Sequence, residues 1–374
     1  MGRISDFADQ YTSTSTRTSY TTSVCAYLAM IYQVKKEPKI TRDLLGRYED
    51  LADRYFSEER DHSKDLIRFA TSMSDRPPKT ARQYLSAVKE WLVFHDVEIS
   101  ERDLRKVRQR TPKGGAVTVQ RDLDVEGLRS VMTHLDLKMR ALVLLLASSG
   151  MRIGEALALT LDDVDLEKDK IGTITIRAEG AKTRQQRYTF CSPEAAVVIL
   201  EWMKKRDAYL QSAQGRGAGL GILKTREDDR LFPFSDNVVY AAWEKALLAT
   251  DLHSRDRVTN RIQINIHLLR AFFTSQLKLA VPGDVVELLA GHRGYLSDAY
   301  RRYTRKQVQD LYAKGVPYIT VMVPADVREL QTSTQEKIRA HGELIENLVR
   351  ENQQLRKDVA DLKDLTEIFK NLEK

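Results

Sequence analysis

Arg152 stands in the run Ser148-Ser149-Gly150-Met151-Arg152-Ile153-Gly154-Glu155, where a glycine turn joins one apolar segment to the next. An arginine on so short a mount, with Glu155 one helical turn on, is suited to gripping a phosphate. Its planar guanidinium offers two parallel hydrogen bonds, and the carboxylate can orient it. A second arginine, Arg270, follows His267 at i+3, so both fall on one face of a helix. Then comes Gly291-His292, with Tyr295, Tyr300 and Tyr303 at three, eight and eleven residues past that histidine. Lys182 lies in Gly180-Ala181-Lys182-Thr183, near a turn between two β-patterned runs. A single arginine at a turn is most often a cap, and a single tyrosine most often core. The ordered set carries the information: R-x-x-E, a lysine beside a β-turn, H-x-x-R, G-H, then tyrosine.

Such residues need rigid supports, and the hydrophobic pattern predicts them. Tyr84, Leu85, Val88, Trp91, Leu92 and His95 recur at helical spacing, implying a helix from Thr80 to His95 that starts close to Pro77 and Pro78. The basic, glycine-containing run Arg110 to Gly115 predicts a flexible interdomain linker. Beyond it, helices are expected near Asp124 to Leu135 and Met139 to Ala147, then strands over Ile171 to Ile176 and Arg187 to Phe190. Further helices are expected around Glu194 to Leu210, Asn237 to Ala249, His267 to Leu279 and Asp284 to Leu289. The stretch Gln214 to Leu220 reads as a surface loop. The Ser/Thr-rich stretch Tyr11 to Ser23 reads as a loose lead-in, with a helix cap as the alternative.

Towards the end the period changes. Ile345, Asn352, Val359 and Thr366 at a, with Leu348, Leu355, Leu362 and Phe369 at d, predict a two-stranded coiled coil. Glu351 and Asp358 at g would meet Arg356 and Lys363 at e of a parallel partner, whereas antiparallel pairing would oppose like charges. The alternative is a single helix folded back on the body. The expected fold is mainly α with a small antiparallel β-sheet. Its parts are a helical domain at 1–109, a linker at 110–118, a second domain at 119–322 and a coiled-coil helix at 323–374.

Composition bounds the function. At 374 residues with 42% apolar content, the chain can build two domains with real cores. The apolar run Ala141 to Ala147 is too short to span a bilayer, and the opening residues lack the apolar core of a secretory signal. Cys25 and Cys191 are far apart, which indicates neither a disulfide framework nor a zinc site and suits a reducing, cytoplasmic setting. The net charge of +7 is unevenly spread: from Asp326 onward lie 9 of the 60 Lys and Arg and 11 of the 53 Asp and Glu, leaving +9 on the rest. A basic body with a near-neutral tail suits a polyanionic partner.

The order and spacing of the set resemble the tyrosine recombinase family, which includes phage and archaeal-type integrases and chromosome-dimer resolvases. The resemblance covers about Val119 to Thr320, and SGMRIGEALALTLDDVDLE is a close rendering of the family's first box. It implies a helical core-binding domain followed by a catalytic domain. By motif position Arg152 and Arg270 would bind phosphate, and Lys182 would be the β-hairpin lysine. His267 would open the second box, His292 would hold the position of a His or Trp, and Glu155 would be the first box's acidic residue. The nucleophile would be Tyr300, one residue closer to the histidine than in many bacterial relatives, with Tyr303 as the alternative. Apolar Val308 and Leu311 are in phase with the helix that follows when Tyr300 is chosen.

The implied activity is site-specific recombination through a 3′-phosphotyrosyl intermediate, integrating or excising a mobile element without metal or other cofactor. A type IB topoisomerase-like relaxing enzyme and an inactive DNA-binding relative are the alternatives. Lys79, Arg82, Lys89, Arg110 and Lys113 are candidate DNA contacts, mostly to phosphates. The implied partners are double-stranded DNA attachment sites and further copies of the chain, a dimer on one site and a tetramer in the synapse, in the cytoplasm at the nucleoid and with no membrane.

Overall fold

Pro78 opens a helix at the position where its missing N–H is of no consequence, and side-chain caps start most of its neighbours. The computed structural model describes residues 2–35, 37, 40–179, 185–214, 228–292 and 303–322. The chain divides into two units, Met1–Gln120 with Arg255–Gln263, and Arg121–Ser254 with Ile264–Lys374. The first unit holds α1 (Arg3–Asp9), α2 (Thr14–Ile31), α3 (Arg42–Ser57), α4 (His62–Ser72), α5 (Pro78–Phe94) and α6 (Glu101–Arg110). Asp61 and Ser100 cap α4 and α6, accepting from the N–H groups of Lys64 at 3.0 Å and Asp103 at 3.1 Å.

The core of this unit is aromatic. Tyr27, Tyr55, Phe69 and Trp91 are fully buried, and each such side chain contributes about 1.5–3 kcal/mol by leaving water. The two buried phenols bond to each other at 2.6 Å, which spares both an unpartnered hydroxyl. On α5 the buried face is Ala81, Leu85, Ala87, Val88, Trp91 and Leu92. His95 lies just past the helix end and bonds the Arg3 carbonyl at 3.0 Å.

The Ser/Thr-rich stretch is not a loose lead-in. Ser13 caps α2, which runs straight through it. Thr18, Thr22 and Ser23 turn their hydroxyls back onto the carbonyls four residues earlier, at 3.0, 2.7 and 2.8 Å, while Tyr20 stacks on Phe7. Packing here overrides the weak helix propensity of threonine.

The linker is also less free than its composition implies. The Arg82 guanidinium donates to the Gly114 carbonyl. Asp256 accepts from the Val119 N–H at 3.1 Å, the Thr118 and Thr259 hydroxyls lie 2.9 Å apart, and Gln263 donates to the Val119 carbonyl at 3.0 Å. Residues 118–119 are thus held against the 255–263 segment, distant in sequence.

The second unit is built around α8 (Leu137–Ser149), buried on almost every side as its unbroken apolar run requires. Around it lie α7 (Val125–Thr133), α9 (Ile153–Ala158), α10 (Pro193–Gln214), α11 (Asp236–Leu248), α12 (Leu268–Leu277), α13 (Gly283–Ala290) and α14 (Arg305–Ile319). An antiparallel sheet is ordered β1 (Val164–Asp165), β2 (Gly172–Ile176), β3 (Arg187–Cys191), with Ile176 opposite Arg187 and Gly172 opposite Cys191. β1, two residues long, is an addition to the two expected strands. The fold is therefore mainly helical with a small antiparallel sheet. Among the described residues no helix is long and apolar enough to cross a membrane. Lys182, Tyr300, the Gln214 to Leu220 loop beyond its first residue, and the heptad segment fall outside the described residues.

Candidate active site

Two helix ends create the site. α8 stops at Gly150, whose φ of 64° lets its N–H reach the Leu146 carbonyl. That left-handed turn favours glycine, and a Cβ there would come within 2.1 Å of the Phe273 ring. The chain then presents Arg152 at the start of α9, where Glu155 accepts the Arg152 N–H at 2.9 Å. α13 ends the same way at Gly291, φ 69°, with the N–H groups of Gly291 and His292 returning to the Leu288 and Glu287 carbonyls, a Schellman closure. Two chain reversals, distant in sequence, lie beside each other in space.

Arginines gather between them. Arg270, on the first turn of α12, is 5% exposed. One of its terminal nitrogens donates to the Gly150 carbonyl at 2.6 Å and also to the Ala290 carbonyl, and its Nε donates to His292 at 3.2 Å. Its other terminal nitrogen, Nη2, is buried and finds no hydrogen-bond partner among the described residues. Arg152, a quarter exposed, reaches Glu155 at 3.0 Å and the Gly291 carbonyl at 3.5 Å. Burial, reinforced by the positive charge of Arg152, pulls the Arg270 pKa down from 12.5 to about 10. At neutral pH it remains a cation, in a place that disfavours one. Carbonyls at the end of α13 face these guanidiniums with their negative ends, which offsets part of the repulsion.

Glu155 is the counter-charge. Its side chain is 2% exposed. Burial pushes its carboxyl up, but hydrogen bonds and charge from Arg187 and Arg152 outweigh that and leave it below the usual carboxylate range. His292 is wedged between Arg270 and Glu287. An arginine Nε always donates, so His292 Nε2 must accept, which puts the ring proton on Nδ1, donating to Glu287. Lys278 holds that same carboxylate at 2.5 Å and, with His292, keeps it ionised below its ordinary pKa.

Arg152, Glu155, Arg270 and His292 thus stand together. His267 is exposed, at the N-terminal boundary of α12, and does not share the burial of Arg270. Tyr303 is 42% exposed just ahead of the Thr304 cap of α14. Tyr312 is fully buried, donates to the Ser148 carbonyl at 2.7 Å and has its pKa raised far above 10 by desolvation, so it packs and does not react. Val308 is fully buried and Leu311 packs against the same core.

Of the candidate DNA contacts, Lys79, Arg82, Arg110 and Lys113 are exposed in the first unit, and Lys89 pairs with Glu90 at 3.5 Å. Arg82 also spends donors on the carbonyls of Pro78 and Gly114.

Sequence reasoning missed Arg187 and Glu287. Arg187 forks onto both oxygens of Glu155 at 3.1 and 2.6 Å with its side chain 7% exposed. A charged residue opening a strand gave no hint of such burial. Glu287 was more accessible, since a helix that ends at Gly291 folds His292 back over its last turn.

A profile described as the phage integrase family matches residues 121–310. Tyrosine recombinase XerD of Pseudomonas aeruginosa is 26% identical over 242 residues, covering 63% of this chain and 72% of the relative. Tyrosine recombinase XerA of Saccharolobus solfataricus is 22% identical over 249 residues, covering 62% and 70%. Among solved structures, the XerH site-specific recombinase bound to its difH substrate before cleavage aligns over 78% of this chain and 94% of its own, at 15% identity and a TM-score of 0.44.

Proposed function

The chain belongs to the phage integrase family, and from that premise we propose that it cuts and rejoins DNA at specific sites through a covalent tyrosine intermediate. It is a tyrosine-type site-specific recombinase. The observation that carries the chemical reading is the buried Arg270, which lies beside the partly exposed Arg152 and whose Nη2 donor has no partner among the described residues. A buried cation with an unused donor is poorly placed for an empty protein and well placed for a phosphate.

A phosphodiester resists attack because its anionic oxygens repel nucleophiles and its alkoxide leaves poorly. Arg152 and Arg270 neutralise the non-bridging oxygens as charge builds on them. The Tyr300 oxygen attacks phosphorus and loses its proton to water or a basic neighbour, since nearby cations favour the phenolate. The bond from phosphorus to the 5′ oxygen breaks, and Lys182 or His267 protonates that oxygen. The DNA 3′-phosphate is then joined to Tyr300, which conserves the bond. A 5′-hydroxyl from another strand reverses the step and returns the tyrosine. Lys182 and Tyr300 enter by motif position alone. His292 serves the phosphate only by turning Nε2 away from Arg270, so in the empty site it orients that arginine.

Lys79, Arg82, Lys89, Arg110 and Lys113 contact the duplex, mostly at phosphates. The protein pairs on one site and forms a tetramer across two, with the heptad segment at 323–374 strengthening the pairing. Its work is the integration or excision of a mobile element in the cytoplasm. The test uses duplexes selected from a random-sequence pool by binding to the full chain and then nicked, so that the cleaved strand cannot be religated. A covalent protein–DNA adduct is expected from the wild type and from Tyr303→Phe, and none from Tyr300→Phe. An adduct from Tyr300→Phe would transfer the role to another tyrosine. No adduct from the wild type would remove the reading.

A further inference from the structure

Arg187 has no part in the reaction just described, yet it is the more buried of the two arginines on Glu155, the carboxylate that also meets Arg152. Its two terminal nitrogens hold both oxygens of Glu155, at 3.1 Å to Oε1 and 2.6 Å to Oε2, while Arg152 takes a single 3.0 Å side-chain contact to Oε1. Planar guanidinium and carboxylate groups prefer the two-pronged fork. With Arg187 gone, an ionised, 2% exposed Glu155 would be left short of positive charge. The nearest cation able to close the fork is Arg152.

We propose that Arg187 is a positioning residue: by occupying Glu155 as a fork, it prevents Arg152 from being sequestered there and leaves it donors for the reacting phosphate. Two further observations support this. Gly291 is needed to make room for Arg187, since a Cβ there would come within 2.4 Å of the Arg187 Nε. Arg187 also begins β3, opposite Ile176 at the end of β2, so its fork joins that strand pair to the start of α9, where Arg152 stands. Arg187, Arg152 and Arg270 against Glu155 leave an excess of two positive charges, suited to an anion.

This inference rests on the recombinase reading, and the experiment separates the two. The rate of adduct formation is measured in a single turnover on the nicked, pool-selected duplex, with duplex affinity measured by mobility shift. Arg187→Gln is expected to slow the adduct step at least tenfold while changing affinity less than about threefold. Adding Glu155→Gln to it removes the charge that captures Arg152, so the double variant should react faster than Arg187→Gln alone. Arg187→Lys, which keeps the charge without the fork, should fall between wild type and Arg187→Gln. A merely structural ion pair would restore the rate only in step with stability, so unfolding midpoints are compared alongside, and the rescue must exceed what they account for. Should Arg187→Gln fail to fold, the neutral pair and Arg187→Lys still carry the comparison, each against wild type. The proposal then expects the neutral pair to react within about tenfold of wild type. Wild-type rates in Arg187→Gln, or a double variant that folds and reacts no faster than the single one, overturn the proposal. A wild type that forms no adduct overturns the recombinase reading and this one with it.

Discussion

Arg270 shows how a residue can be placed for a ligand at the expense of the empty fold. Its pKa is lowered, so below about pH 10 the folded chain keeps a cation where burial and Arg152 oppose it. An anion that meets Nη2 should relieve that opposition. Inorganic phosphate is therefore expected to raise the unfolding midpoint beyond the effect of chloride at equal ionic strength. At ten times its Kd the gain would be about 1.4 kcal/mol. Arg270→Gln should lose this increment, which calorimetry at matched ionic strength would detect. An equal response in both proteins would mean that phosphate acts elsewhere. Tyr312 illustrates the opposite case: its hydroxyl is satisfied within the core, and its phenol is held neutral by burial.

At the scale of elements, chain reversals matter more than helices. α8 and α13 both end on glycines of positive φ, and their terminal carbonyls accept from Arg270. The linker offers a second instance. Asp256 accepts from the N–H groups of Val119, Val258 and Thr259, and these bonds, led by that of Thr259, lower its pKa from 3.8 to about 2. A depressed carboxyl adds stability that is fully present above its unfolded pKa and is lost as pH falls through the folded one. Amide exchange at Val119 and Thr259, corrected for intrinsic rates, should thus stay protected near about pH 5 and lose protection towards about pH 2. Asp256→Ala should lack that protection at neutral pH too. Protection unchanged in the variant would show that Asp256 does not hold the clasp.

For the whole molecule, charge and repetition argue for assembly on DNA. The body up to Asp326 carries the positive excess, while the remainder is close to neutral and patterned in heptads. A chain ended at Pro324 should sediment as a more weakly associating species than the full chain, while its first unit keeps the capped helices and aromatic core described above. An unchanged association state would assign self-association to the body and remove the coiled coil from the account.

The sequence by itself determined the family and the main elements. Glycine turns, apolar periodicity and the R-x-x-E, H-x-x-R and G-H spacings are local properties, legible wherever they occur. That is why α5, α8, β2 and β3 appear close to their expected bounds, and why Arg152, Glu155, Arg270 and His292 stand out in the chain itself. The stretch at 11–23 reads by composition as a loose lead-in, yet its helix-cap alternative holds: Ser13 caps α2, and Tyr20 stacks on Phe7, a contact that composition does not encode. Only the tertiary structure decided that Arg187, 32 residues from Glu155, would be that carboxylate's principal partner, and that Arg270 would be buried with a donor left over while His267, three residues earlier, is exposed. Such outcomes depend on which chain ends converge in space. Burial then sets the strength of every charge among them, and neither property can be read from the spacing of residues along one chain.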